Sequence, residues 1–165
     1  MSLGTTKFNF DRLLKSLDLA VVELGLKEKL VIQTRRSSYS FGYKNIEDRK
    51  EFSIKIMIEL LKRARIIITH ASPVIIFFAL RYSKNKPLVL ARLKRFNEHV
   101  NDHQYEFSRF FRKKTDNIIF FKQNNLEKQM MQHLLNPQKN KIKNNVVSEP
   151  TELAAKLIKY TESIK

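Results

Sequence analysis

Short apolar runs that break off into polar turns, each followed by a helical stretch, constrain this chain more than any other feature. Residues 66–69, IIIT, form a β-branched run of the kind that suits a strand buried on both faces. Ser72 and Pro73 then supply a cap and a first turn for a helix. The order recurs downstream: a strand at 88–90, a polar loop over 92–101, a helix from Asp102 to about Arg112, a strand at 118–121 and a helix near 126–135. Strands alternating with helices predict an α/β fold, a Rossmann-like parallel sheet flanked by helices.

Upstream, Phe10, Leu13, Leu14, Leu17, Val21 and Leu24 recur at helical spacing, and Gly25 sits where such a helix would stop. Residues 30–33 read as a short strand, whereas 34–51 is polar, dotted with aromatics and without a period that fixes its structure. A second helix is expected after Ser53 with Ile54, Met57, Ile58 and Leu61 facing inward, and residues 74–80, apolar all round, are expected to be buried. Residues 137–147 carry lysines and asparagines without periodicity and read as a solvated linker before a helix at 149–164. The organisation is thus a main domain over 1–137 and a basic linker with a C-terminal helix over 138–165.

The balance of 32 Lys and Arg against 16 Asp and Glu gives a net charge of +16, which implies an anionic partner: nucleic acid, a membrane surface or a phosphorylated substrate. Nucleic acid is disfavoured, because there is no RNP-like aromatic pattern, zinc spacing or basic recognition helix. The absence of cysteine excludes a disulfide scaffold and thiolate zinc sites. His99 and His103, with Glu98 and Asp102 beside them, mimic half of a metal site, but the order is not HExxH and no third ligand is apparent, so no metal is expected. The start lacks the apolar core of a signal peptide, and the most apolar run, 66–80, is interrupted by His70, Ser72 and Pro73 and is too short to span a bilayer. A cytoplasmic location is expected.

In a parallel sheet every strand delivers its following loop to the same edge. Residues 4–6, 33–34, 69–72 and 92–104 would therefore gather along the carboxyl edge, although they are far apart in sequence. Helix N-termini and clustered cations there suit a phosphate-bearing ligand. His70 has a second reading, as a core or cap histidine bonded to backbone.

Four segments also carry a resemblance. GTTKFNFDRLLKSLD, IQTRRSSY, ARIIITHASPVIIFFAL and KPLVLARLKRFNEHVNDHQYEF resemble the C-terminal domain of glycosyltransferase family 28 in its stand-alone bacterial form, the small exopolysaccharide and capsule glycosyltransferase subunits. These are similar to the cytosolic donor-binding subunit of the eukaryotic two-part N-acetylglucosaminyltransferase. The match runs in register over roughly residues 4–135. It implies the C-terminal half of a GT-B enzyme that binds a UDP-sugar, needs no metal or other cofactor, and transfers a hexose to a lipid-linked acceptor. It also implies a membrane-anchored, acceptor-side partner and peripheral contact with the inner face of the cell membrane.

Carried over by position, Gly4, Thr5 and Thr6 match the loop beside the sugar-nucleotide phosphates, and His70 and Ser72 match the turn that meets the diphosphate. Glu98, His99, Asn101, Asp102, His103 and Gln104 match the donor-sugar loop, while Arg92, Lys94 and Arg95 would neutralise the leaving UDP. No residue matches a catalytic base. Three departures stand out. Relatives carry a strand ahead of the glycine–threonine loop, whereas only MSL precedes it here, so the sheet is expected to lack part of its first strand. The turn reads HASPV where relatives tend to have glycines, and Phe78 stands where many have a glutamate for the ribose. These support an alternative, a degenerate, non-catalytic subunit that stabilises a partner glycosyltransferase.

Overall fold

The computed structural model describes residues 8–34 and 37–142. Gly4, Thr5 and Thr6, the strand expected around residues 1–3 and the helix expected at 149–164 lie outside the described residues. In chain order the elements are α1 (Asp11–Glu23), β1 (Leu30–Gln33), β2 (Ile46–Arg49), α2 (Ile54–Arg63), β3 (Ile68–His70), α3 (Pro73–Tyr82), β4 (Leu88–Leu90), α4 (His103–Arg112), β5 (Ile119–Phe120) and α5 (Leu126–Leu135). Every strand pair is parallel: β1 with β2, and β3–β4–β5 with β4 in the middle. The result is a mixed α/β arrangement of two small parallel sheets flanked by helices.

Alternation along β4 separates the two faces of the sheet, since successive side chains in a strand point to opposite sides. Leu88 and Leu90 join Leu13, Leu14, Leu17 and Val21 of α1 and Met130 and Leu134 of α5 in one core. Val89 and Ala91 instead meet Ile76 of α3 and Phe107 and Phe111 of α4. Helix α1 forms as its spacing predicts and ends in a Schellman turn: Gly25, at φ 58°, donates its N–H to the Val22 carbonyl, and the Leu26 N–H reaches that of Val21.

Three elements differ from expectation. In α2, Ser53 caps as expected by accepting the Ile56 N–H, but Ile54 is 68% exposed and only Leu61 is buried. Residues 74–80 are not buried throughout either: α3 lies on the outside of the sheet, so Ile76 and Ala79 turn inward while Val74 is 65% exposed. The expected linker is docked over its described part. Asn140 is buried, its amide oxygen 2.9 Å from His133 Nδ1, while Lys86 N–H donates to its carbonyl and Ile142 N–H to that of Lys84.

The polar stretch before α2 holds the strand that periodicity missed. Its side chains Glu47, Asp48 and Arg49 are charged, so β2 is an edge strand held by backbone pairing, by Ile46 against the core and by the Lys29–Glu47 ion pair. The loop ahead of it is tied to α1 by a buried carboxylate. Asp18 accepts the Gly42 N–H at 2.8 Å, the Tyr43 N–H at 2.9 Å and the Tyr39 hydroxyl at 3.1 Å.

Candidate functional site

Strands β3 and β4 are neighbours and parallel, so the turn after β3 and the long loop after β4 open on the same edge. At the end of β3, Thr69 and His70 are buried, with Thr69 Oγ1 3.4 Å from His70 Nδ1, and Ser72 donates its N–H to the His70 carbonyl. The backbone turns here directly into α3, with Ser72 in the N-cap position and Pro73 at the first helical position. Ser72 is half-buried and its hydroxyl does not cap the helix.

Past β4 the chain is knitted from within. Arg92 is 1% exposed, and its Nη1 donates to the carbonyls of Phe8 and Asn9 at 3.0 Å and of Glu98 at 3.2 Å, with the guanidinium over the Phe10 ring. Burial pushes its pKa down to about 10 against the opposing charges of Glu98 and Asp11, and it stays cationic at neutral pH. Glu98, 3% exposed, accepts two hydrogen bonds from Arg12, Nε at 2.8 Å and Nη2 at 2.7 Å, and a third from the Leu93 N–H. Gln104 Oε1 accepts the Arg92 N–H at 3.3 Å, and Asp102 Oδ1 the Lys94 N–H at 2.7 Å. A 3-10 turn (Lys94–Phe96) and Asn97, in the left-handed region at φ 55°, complete the reversal.

The expected site residues therefore separate into two groups. Arg92, Glu98, Gln104 and His70 are buried and hold the edge together, whereas Lys94, Arg95, Asn101 and Asp102 face solvent, with Ser72, His99 and His103 half-buried between them. The edge combines exposed cations with the starts of α3 and α4, whose partial positive charge favours anions. Arg12 belongs to this edge and was not singled out in the sequence. Its signal was its place in the first turn of α1, a helix that starts where the loops gather.

His99 packs between Phe8 and His103, whose ring it meets edge to face at 4.5 Å between centroids, and His103 Nδ1 contacts Asn101 Oδ1. Burial, and then the charges of His103 and Arg92, hold the His99 pKa below its ordinary 6.5, with Asn101 opposing. A histidine that protonates less readily folded than unfolded contributes stability fully present above the ordinary value, and loses it as pH falls through that value toward the folded pKa. Thermal melts from about pH 7.5 down to about pH 5 should show a falling Tm that His99→Gln partly flattens. An unchanged slope in the variant would assign the effect to other groups. Among the described residues no three His, Cys, Asp or Glu side chains come together as a metal-holding group.

No family model, curated protein or solved structure matches this chain, and the edge is therefore interpreted from its own residues.

Proposed function

We propose that the chain is the donor-binding half of a UDP-sugar-dependent glycosyltransferase of the family 28 type, the C-terminal half of a GT-B enzyme. Its reaction would be transfer of a hexose to a lipid-linked acceptor in exopolysaccharide or capsule synthesis. The observation that carries this reading is the opening of the β3 and β4 loops side by side, the first running into the start of α3 and the second carrying exposed Lys94 and Arg95 toward the start of α4. Charge that builds on a departing diphosphate is stabilised by such fixed dipoles and cations.

Within this reading Glu98 and Gln104 position the loop instead of holding the sugar, because both spend their acceptor oxygens on protein donors. Asn101, Asp102 and His103 stand on the rim, each bonded within the loop through one atom, Asp102 Oδ1 to the Lys94 N–H and His103 Nδ1 to Asn101 Oδ1, and would meet sugar hydroxyls through their other polar atoms. The acceptor's general base is left unassigned among these residues, and the resemblance allows it to sit on the partner subunit. Among the described residues no helix is long and apolar enough to cross a membrane, so contact with a lipid-linked acceptor falls to that partner, helped by the +16 charge near anionic lipid.

A second reading, a non-catalytic subunit that stabilises a partner, is favoured by Val74. Its side chain stands exposed in the first turn of α3, where a diphosphate would approach. Thermal shift decides between the two. On the first reading UDP and at least one UDP-sugar raise Tm without added metal, and Lys94→Ala and Arg95→Ala weaken both ligands alike, by an amount that shrinks as salt rises. Equal indifference to UDP and to a panel of UDP-sugars leaves the second.

A further inference from the structure

The ring of His99 sits where its neutral form fits and its cation does not. It packs between Phe8, ahead of α1, and His103, at the start of α4, so three parts of the chain meet at one imidazole. Its Nδ1 is buried and makes no hydrogen bond. A neutral imidazole leaves one nitrogen bare, whereas an imidazolium carries a proton on both, so the cation would bury an N–H without an acceptor.

The charges that face the ring act in the same sense. Burial, then His103 on α4 and the guanidinium of Arg92 past the end of β4, all oppose a positive charge at this position. Phe8 brings no charge. The two carboxylates of the loop are spent elsewhere, Glu98 on Arg12 and the Leu93 N–H, and Asp102 on the Lys94 N–H. Asn101 favours the cation, but its Oδ1 already meets His103 Nδ1.

Val100, Asn101 and Asp102 are exposed, so this end of the loop is fastened through the His99 ring and through the 2.7 Å bond between Asp102 and the Lys94 N–H. On one side stands Glu98, fixed to Arg12, and on the other α4, whose Phe107 and Phe111 belong to the core. Both can stay in place while the residues between them move. We propose that residues 99–102 form a proton-operated latch: when His99 takes up a proton its ring leaves the space between Phe8 and His103, and the rim opens while the sheet beneath stays folded. The latch is closed at neutral pH and opens below 6.5, the ordinary histidine value. It goes beyond the donor reading, since it needs no ligand.

The test is nuclear magnetic resonance on the full chain, titrated from about pH 7.5 to about pH 5. Contacts between the His99 ring and the rings of Phe8 and His103 should be present at the upper end and lost at the lower. The Lys94 amide, corrected for the intrinsic pH dependence of exchange, should exchange at least about threefold faster once its acceptor Asp102 moves away. Both changes should share the midpoint of the His99 titration, below 6.5. The amides of Leu88 and Phe121, which donate to the Ile67 and Val89 carbonyls, should keep their protection. His99→Phe keeps a ring that cannot take a proton, so its Lys94 amide should lose the pH response. Ring contacts that survive at the lower end, a midpoint that differs from that of His99, or an unchanged pH response in His99→Phe each overturn the latch. So does an equal fall in protection at Leu88 and Phe121, which would be acid unfolding of the whole protein. Should His99→Phe not fold, the match of midpoints in the unmodified chain decides.

Discussion

Glu98→Ala should destabilise the protein by about 3 kcal/mol, the lower end of what breaking a buried ion pair costs, because Arg12 keeps some access to water. The substitution takes two charge-assisted bonds from a guanidinium that keeps only Gln123 Oε1 and the Ala91 carbonyl as acceptors, and it leaves the Leu93 N–H without its acceptor. Urea unfolding measures the loss. Adding Arg12→Ala to Glu98→Ala should cost well under the sum of the two single changes, since the pair acts as a unit. A loss below about 1 kcal/mol for Glu98→Ala would mean that the loop does not depend on this carboxylate.

Arg92→Met should be at least as costly, about 3–5 kcal/mol, although methionine fills much of the same space. It removes the donor shared by the carbonyls of Phe8, Asn9 and Glu98, which together fasten the entry to α1 and the loop after β4 to one point. Arg92→Lys keeps the charge but not the planar fork, so it should recover only part of the loss. Chemical denaturation of the two variants side by side checks this, and equal stability of Arg92→Met and the unmodified chain would refute it.

Much of the fold was legible because most elements bury a continuous apolar face. The spacing from Phe10 to Leu24 places α1, the apolar run at 88–90 places β4, and Leu126, Met130 and Leu134 at helical spacing place α5. Strand β2 was not legible: in IEDR only Ile46 meets the core, and one apolar residue followed by three charged ones leaves no hydrophobic pattern to read. Exposure was misjudged at Val74 and Ile54, where an apolar sequence does not say which side of a surface helix has a neighbour.

The candidate edge was legible in location and not in wiring. Parallel topology brings residues 69–72 and 92–104 together, but nothing local says that Glu98 turns inward to Arg12, its partner 86 positions away. A charged residue in a polar loop looks alike in sequence whether it faces solvent or fastens the loop. The same holds for Gln104, whose spacing from Arg92 is that of an ordinary loop and whose side chain closes it.

The carboxylate of Asp18 has a consequence for how the sheet edge is kept in alignment. A strand with one buried face has its register fixed by hydrophobic alternation, because a slip of one residue would turn that face to water. Strand β2 has little such face, with Asp48 and Arg49 both exposed. Ile46 is held opposite Leu30 by its packing on the core, by the Asn45 side chain on the Lys27 carbonyl and the Lys29–Glu47 ion pair, and by the length of chain from Tyr43, whose N–H is pinned to Asp18. Helix α1 thereby acts as a ruler for a strand that it does not pair with.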